Sequence, residues 1–198
     1  MPEVPESRQA ARREEILYMQ GRNIWTVVPK QLCWDLTGKG PVSVRWVGPE
    51  EKPDRSRLVA RDFKGDDKGR DDLLAETPLL AAKRMLLSKA AARREDGKPR
   101  KLLFIDAKKV HLNPVCEDDV FIELPREAGC GPDECGKLSF WLYGFRPAAA
   151  AWEKLYSSKL VGAGLVRGAS CGVVFYHKER DISTVSYTHL TLPTKRIV

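Results

Sequence analysis

Asp106 comes at the end of an apolar run, residues 102–105, and two lysines follow it closely. The run predicts a buried strand that ends on this acid. A carboxylate at a rigid strand end is well placed to hold a divalent metal at a cleft, because the backbone fixes a hard oxygen ligand there. Asp106 is therefore a candidate metal ligand, and an aspartate that is solvated or caps a turn is the alternative.

A second candidate site is a row of arginines in the stretch "RSRLVARDF". Since side chains alternate along a strand, Arg55, Arg57 and Arg61 fall on one face, together with Val59. The guanidinium group suits phosphate because it donates two hydrogen bonds at once. The pattern predicts a strand with a guanidinium stripe on one face, and a cationic strand that is only solvated is the alternative.

The elements that must position these residues alternate irregularly along the chain. Residues 42–47 alternate in polarity and form the first half of a predicted hairpin with the arginine strand. A helical pattern begins at Pro78, and a second helix begins at Pro147 and stops near Gly162. Further strands are expected at residues 120–124 and 171–177. Because strands and helices do not alternate strictly, the predicted fold class is α+β.

Composition and charge narrow the classes of function. Lys and Arg total 34 against 27 Asp and Glu, which gives a net charge of +7 and favours polyanionic partners. No membrane span or signal peptide is apparent, so we expect an intracellular protein, cytoplasmic or nuclear. The 5 cysteines are an odd number and favour reduced thiols; we interpret "CGPDEC" as a Gly/Pro loop in preference to a zinc site. A phosphate-loop ATPase is excluded because its glycine-rich motif is missing.

Several stretches together resemble the reverse transcriptase of copia-type LTR retrotransposons. They occur in that family's order between about residues 23 and 183: "NIWTVVP", "VRWV", "RSRLVARDF", "ETPLL", "IDAKKVHLN", "DDVFIELP" and "LYGFRPAAAAW". The family's fingers hairpin typically reads Lys-x-Arg-Leu-Val-Ala, its first catalytic motif Asp-Val-x-x-Ala-Phe-Leu-Asn, and a later motif Leu-Tyr-Gly-Leu-Lys-Gln. The resemblance implies an RNA-directed DNA polymerase with a fingers and palm fold.

The resemblance also implies roles for individual residues. Asp106 would be catalytic and would hold Mg²⁺, or Mn²⁺ in its place, during two-metal phosphoryl transfer. Residues on the nucleotide and phosphate side would be Arg55, Arg57, Arg61 and His111, and those on the template side Tyr143, Gly144 and Arg146. The partners would be a primed RNA or DNA template and deoxynucleoside triphosphates.

The chain departs from the family at two of its motifs. His111 stands where the family has an aromatic residue against the sugar, which puts sugar discrimination in doubt. Pro147 and an alanine run replace polar residues, so the contacts of those side chains are not assumed.

The resemblance sets the expected organisation of the chain. Residues 1–20 are expected to be a flexible lead-in, frayed or helical, 21–100 the fingers and 101–183 part of the palm. Residues 185–194, "VSYTHLTLPT", resemble one reading frame of a sequencing-library adapter, so 184–198 are expected to be a non-native tail.

The expected activity follows from a missing motif. The family's second acidic motif, an Asp-Asp hairpin, does not appear before this tail, so we expect the polypeptide to be inactive alone. A non-catalytic nucleic-acid-binding module or a decayed element copy is the alternative.

Overall fold

The computed structural model describes residues 5–48, 55–62, 80–94 and 97–186. The helices are α1 (Glu6–Gly21), α2 (Lys30–Thr37), α3 (Leu80–Ala91) and α4 (Pro147–Gly162). The strands are β1 (Trp25–Pro29), β2 (Val44–Val47), β3 (Arg57–Ala60), β4 (Phe121–Ile122), β5 (Glu134–Leu138), β6 (Val166–Arg167), β7 (Val174–His177) and β8 (Ile182–Val185). The described chain is mixed α and β with small sheets.

The chain forms two compact units, which do not follow sequence order. The first unit takes Met1–Leu73 and Lys109–Trp152, and the second takes Leu74–Lys108 and Glu153–Val198. Each unit contains residues from both sides of residue 100. This partition therefore differs from the expected one, in which residue 100 separates the fingers from the palm.

The first unit contains an antiparallel sheet of order β1-β5-β4 and the separate hairpin β2-β3. The core of the unit collects apolar side chains from α1, both sheets and the chain that follows β5. These residues include Ile16, Met19, Ile24, Leu58, Leu112, Ile122, Leu138, Trp141, Leu142 and Phe145. Burial of such side chains is the main favourable contribution to folding.

The β2-β3 hairpin has the two faces that the alternation predicted. Ser56, Leu58 and Ala60 are buried, whereas Arg57 is exposed on the opposite face. The strands pair antiparallel with Trp46 opposite Leu58. Because neighbouring side chains point to opposite faces, burial of Leu58 forces Arg57 outward.

The N-terminal lead-in is a helix that belongs to the core of the first unit. In α1, Ile16 and Met19 are 2% and 0% exposed, and Ala11 and Glu15 are also buried. Of the two alternatives expected for the lead-in, frayed or helical, the described residues show the helical one. Its few apolar side chains lie at helical spacing on one face, which suffices to dock a highly charged helix.

The second unit contains α3, the larger part of α4 and the antiparallel sheet β6-β7-β8. Tyr156 of α4 packs edge-on against the buried Phe175 of β7, with ring centroids 6.1 Å apart. The α4 helix starts at Pro147 and ends at Gly162, as the sequence predicts. Strand β8 includes Thr184 and Val185, the first residues of the expected tail.

The predicted strand that ends at Asp106 is wrong. Residues 101–107 have no regular secondary structure, and Leu103, Phe104 and Ile105 are 80%, 84% and 80% exposed. An apolar run becomes a strand only when another strand pairs with it, and no described strand pairs with these residues.

The apolar face predicted for the helix after Pro78 is only partly formed. Ala82 is buried in α3, but Leu87 is 51% exposed, and Leu79 lies outside the described residues. In the described part of the chain, no helix is long and apolar enough to cross a membrane.

Candidate functional site

The loop after β5 lies directly against strand β3 in the first unit. The amide of Ala60 donates a hydrogen bond of 2.7 Å to the carbonyl oxygen of Tyr143. Gly144, the next residue, has φ +92°, and a Cβ there would fall 2.7 Å from Val59 Cγ1 and overlap the carbonyl oxygen of Ala60. Only glycine allows the two backbones to approach this closely.

Arg57 lies over the ring of Tyr143. Its guanidinium carbon is 5.7 Å from the ring centroid, within the range of a cation–π contact. Arg57 is exposed and forms no ion pair with another described residue. The ring therefore steadies the guanidinium while its N–H groups remain available to an incoming anion.

Tyr143 itself is an uncharged ring in a half-buried position. Burial raises the pKa of its hydroxyl to about 12, the charge of Glu15 contributes in the same direction, and Arg57 opposes it. The phenol therefore stays protonated at neutral pH and offers a neutral aromatic face.

His111 contacts the same ring from a second side. It lies in the 3₁₀ turn Val110–Leu112, and its ring meets that of Tyr143 edge-on, with centroids 5.6 Å apart and planes at 79°. Burial lowers the pKa of His111, and the charge of Arg57 lowers it further, against the effect of a backbone hydrogen bond with Ala148. The imidazole is therefore biased toward its neutral form.

The 3₁₀ turn is joined to helix α1 by a contact between Lys109 and Glu15 that the sequence did not predict. Lys109, at the start of the turn, adopts a left-handed φ of +53°. Its Nζ donates to Oε2 of the buried Glu15 at 2.6 Å and lies 3.5 Å from the centroid of the Tyr18 ring. Glu15 and Lys109 are 94 residues apart, and nothing in their local sequence signals the pairing.

Arg146 ties the loop to the end of the hairpin. Its amide donates to Oδ2 of Asp62 at 3.2 Å, and its guanidinium Nε lies 3.7 Å from the same oxygen. This residue was predicted on the template side. Its observed contacts fix the Tyr143 loop beside β3, and its role on the template side stays a prediction.

The remaining arginines extend the exposed face of the hairpin. Arg55 and Arg61 are both exposed, and the amide of Arg61 donates to the carbonyl oxygen of Ser43 at 2.8 Å. The candidate surface, which we call the Tyr143 surface, thus consists of Arg57, His111, Tyr143 and Gly144, with arginines flanking Arg57 along the strand. Aromatic faces beside guanidinium groups are typical of sites that bind nucleotides or nucleic-acid strands.

Asp106 lies in a different unit of the chain from the Tyr143 surface. It belongs to the second unit, in the exposed stretch of residues 101–107. Among the described residues, no group of three or more His, Cys, Asp or Glu side chains could hold a metal ion. One exposed carboxylate does not fit a preformed Mg²⁺ site, which uses ligands in octahedral geometry.

Comparisons with known proteins identify no relative for this chain. No family model, no curated protein and no solved structure matches it.

Proposed function

We propose that this chain is a fragment of the RNA-directed DNA polymerase of a copia-type retrotransposon, with a fingers and palm fold. The observation that carries the proposal is the convergence of three separate motifs. Arg57 of "RSRLVA", His111 of "DAKKVHLN" and Tyr143 of "LYGF" meet around one aromatic ring. These are three of the stretches on which the resemblance to the family depends.

The Tyr143 surface would bind nucleic acid or a nucleotide through charge and stacking. Arg57 would donate to a phosphate oxygen, with its neighbours Arg55 and Arg61 adding positive charge along the strand. The neutral rings of His111 and Tyr143 would contact a sugar or base. Gly144 would keep the loop close to the hairpin.

The polymerase reaction would need groups beyond the Tyr143 surface. In the complete parent enzyme, Mg²⁺ or Mn²⁺ would activate the primer hydroxyl and neutralise the triphosphate. Asp106 is the residue proposed to bind the metal, together with acids that the described residues do not bring to it. We therefore propose that this polypeptide does not polymerise alone.

Binding of a primed template tests the proposed surface. We expect the chain to bind a labelled RNA–DNA primer–template in fluorescence anisotropy, more weakly as salt rises. Arg57→Gln should weaken binding about tenfold, the typical loss for a charge-assisted hydrogen bond. Arg84→Gln is the matched control, because Arg84 is an exposed arginine on helix α3 of the second unit and is not part of the Tyr143 surface. Equal affinity of wild type and Arg57→Gln would contradict the proposal.

A non-catalytic nucleic-acid-binding module is the second candidate. The exposed arginine face of the hairpin favours it. The two candidates differ when the chain is extended with an Asp-Asp hairpin and thumb of the copia type. A polymerase fragment should then extend a primer with Mg²⁺ and lose this activity in Asp106→Asn, whereas a binding module should show no extension and an affinity indifferent to Asp106.

A further inference from the structure

A second basic site lies on the first unit, between α1 and the 3₁₀ turn Arg126–Ala128. A cavity of about 390 Å³ opens there. It is lined by Gln9, Arg12, Arg13, Arg126 and Glu127, which we call the Arg12 pocket. The Arg12 pocket shares no lining residue with the Tyr143 surface.

Positive charge dominates the Arg12 pocket. Of its charged lining residues, three are arginines and one is glutamate. Arg12 Nη1 pairs with Oε1 of Glu127 at 3.3 Å. Arg13 and Arg126 are exposed and form no ion pair with another described residue. Two positive charges therefore remain uncompensated at the cavity.

Arg12 is built into the wall of the pocket and still lacks one acceptor. Its side chain is 20% exposed, and its guanidinium carbon lies 5.3 Å from the centroid of the Trp46 ring. The Nε of Arg12 is buried and has no hydrogen-bond partner among the described residues. Because Nε has almost no accessible surface, a ligand in the cavity would meet the exposed part of the Arg12 side chain instead.

We propose that the Arg12 pocket binds a phosphate group. A phosphate carries the charge that would balance Arg13 and Arg126, and its oxygens accept the paired hydrogen bonds that guanidinium groups donate. The stacked ring of Trp46 restricts the rotation of Arg12 and so reduces the entropy lost on binding. The phosphate belongs either to a nucleic-acid backbone or to a small phosphorylated molecule. The pocket binds it whether or not the chain comes from a polymerase.

Titration calorimetry with inorganic pyrophosphate tests the Arg12 pocket. We expect binding to the whole chain, and Arg13→Gln/Arg126→Gln should weaken it at least about tenfold, because each arginine contributes a charge-assisted hydrogen bond. Both side chains are exposed, so the fold should survive, which circular dichroism checks. The single variants Arg13→Gln and Arg126→Gln repeat the test with a smaller change. Arg45→Gln is the control and should bind as wild type does.

A comparison with Arg57→Gln separates the two sites. If the Arg12 pocket is the phosphate site, pyrophosphate binding should persist in Arg57→Gln and should fail in the double variant. Two results would contradict a phosphate site in the Arg12 pocket. One is pyrophosphate binding that is lost in Arg57→Gln and kept in the double variant, and the other is absence of binding by wild type. Loss of primer–template binding in Arg57→Gln tests the proposed function of the Tyr143 surface and does not test the Arg12 pocket.

Competition then identifies the source of the phosphate. A short single-stranded oligonucleotide that displaces pyrophosphate, and that itself binds less tightly to the double variant, supports a nucleic-acid backbone in the pocket. Pyrophosphate binding that the oligonucleotide leaves unchanged supports a small phosphorylated ligand. A pyrophosphate affinity that the double variant shares with wild type overturns the proposal.

Discussion

The amide of Ala60 donates to the carbonyl oxygen of Tyr143 across 2.7 Å, and this bond joins two stretches of chain that are 83 residues apart. It places the exposed arginine strand beside an aromatic loop. The bond and the glycine that follows Tyr143 therefore determine the shape of the candidate surface.

Gly144→Ala should destabilise the protein more than an ordinary left-handed glycine would. Gly144 has φ +92° and a Cβ there would collide with the backbone of Ala60, whereas Gly129 has φ +73° and open space around it. We expect a loss in the free energy of unfolding of about 1 kcal/mol for Gly129→Ala and about 3 kcal/mol for Gly144→Ala. Urea denaturation measures both. Equal losses would show that the close approach of the loop to β3 contributes nothing.

His111 should make the protein less stable in mild acid. Its pKa in the folded state lies below the ordinary 6.5. Between these two values the unfolded chain binds more protons, so stability falls as the pH drops below about 6.5 and is full above it. His111→Gln should remove this part of the pH dependence. Urea denaturation of both proteins at pH 7.5, 6.5 and 5.5 measures it, and parallel curves would contradict the assignment.

Lys109→Met should leave the buried carboxylate of Glu15 without its cation. Breaking a fully buried pair costs about 3–5 kcal/mol, and we expect about 2 kcal/mol here because solvent reaches the lysine. The Lys109 side chain is 31% exposed and that of Glu15 7%. Lys108→Met is the control, since Lys108 is exposed. Thermal unfolding compares the two variants, and similar melting temperatures would contradict a stabilising pair.

Asp181 should stabilise the second unit through two cations. Its carboxylate oxygens each lie 2.8 Å from a partner, Lys89 Nζ and Arg100 Nη2. Hydrogen bonds from these residues, Lys89 first, hold the pKa of Asp181 below its usual value, so the contribution is present at neutral pH and is lost as the pH falls through the folded-state pKa.

Asp181→Asn should therefore lower the melting temperature at pH 7. Glu179→Gln, a charge change at an exposed residue of the same turn, should leave it nearly unchanged. A melting temperature equal to that of wild type in Asp181→Asn would contradict the role of the two cations.

The hairpin could be predicted from sequence because its signal is local. The period of two placed Leu58 inside and Arg57 outside, and the structure shows the same two faces. The approach of the Tyr143 loop to Ala60 could not be predicted in this way. It depends on a contact between distant segments, which no periodicity encodes.

In the stretch before Asp106, the sequence predicted a strand that the structure does not show. Residues 102–105 are as apolar as a buried strand, yet Phe104 is 84% exposed. An apolar run does not by itself indicate which strand would pair with it. In α1, the charged residues masked the few apolar ones, Ile16 and Met19 among them, that dock the helix. Strand pairing and helix docking depend on tertiary contacts, which the composition of a segment does not reveal.

Photo-crosslinking of a primed template to the whole chain tests the central claim most directly. A template that carries photoreactive bases should attach mainly to the peptide that contains Tyr143 and to the peptide of β3, and the yield should fall in Arg57→Gln but not in Arg84→Gln. Crosslinks that avoid both peptides, or a yield that Arg57→Gln leaves unchanged, would contradict the account.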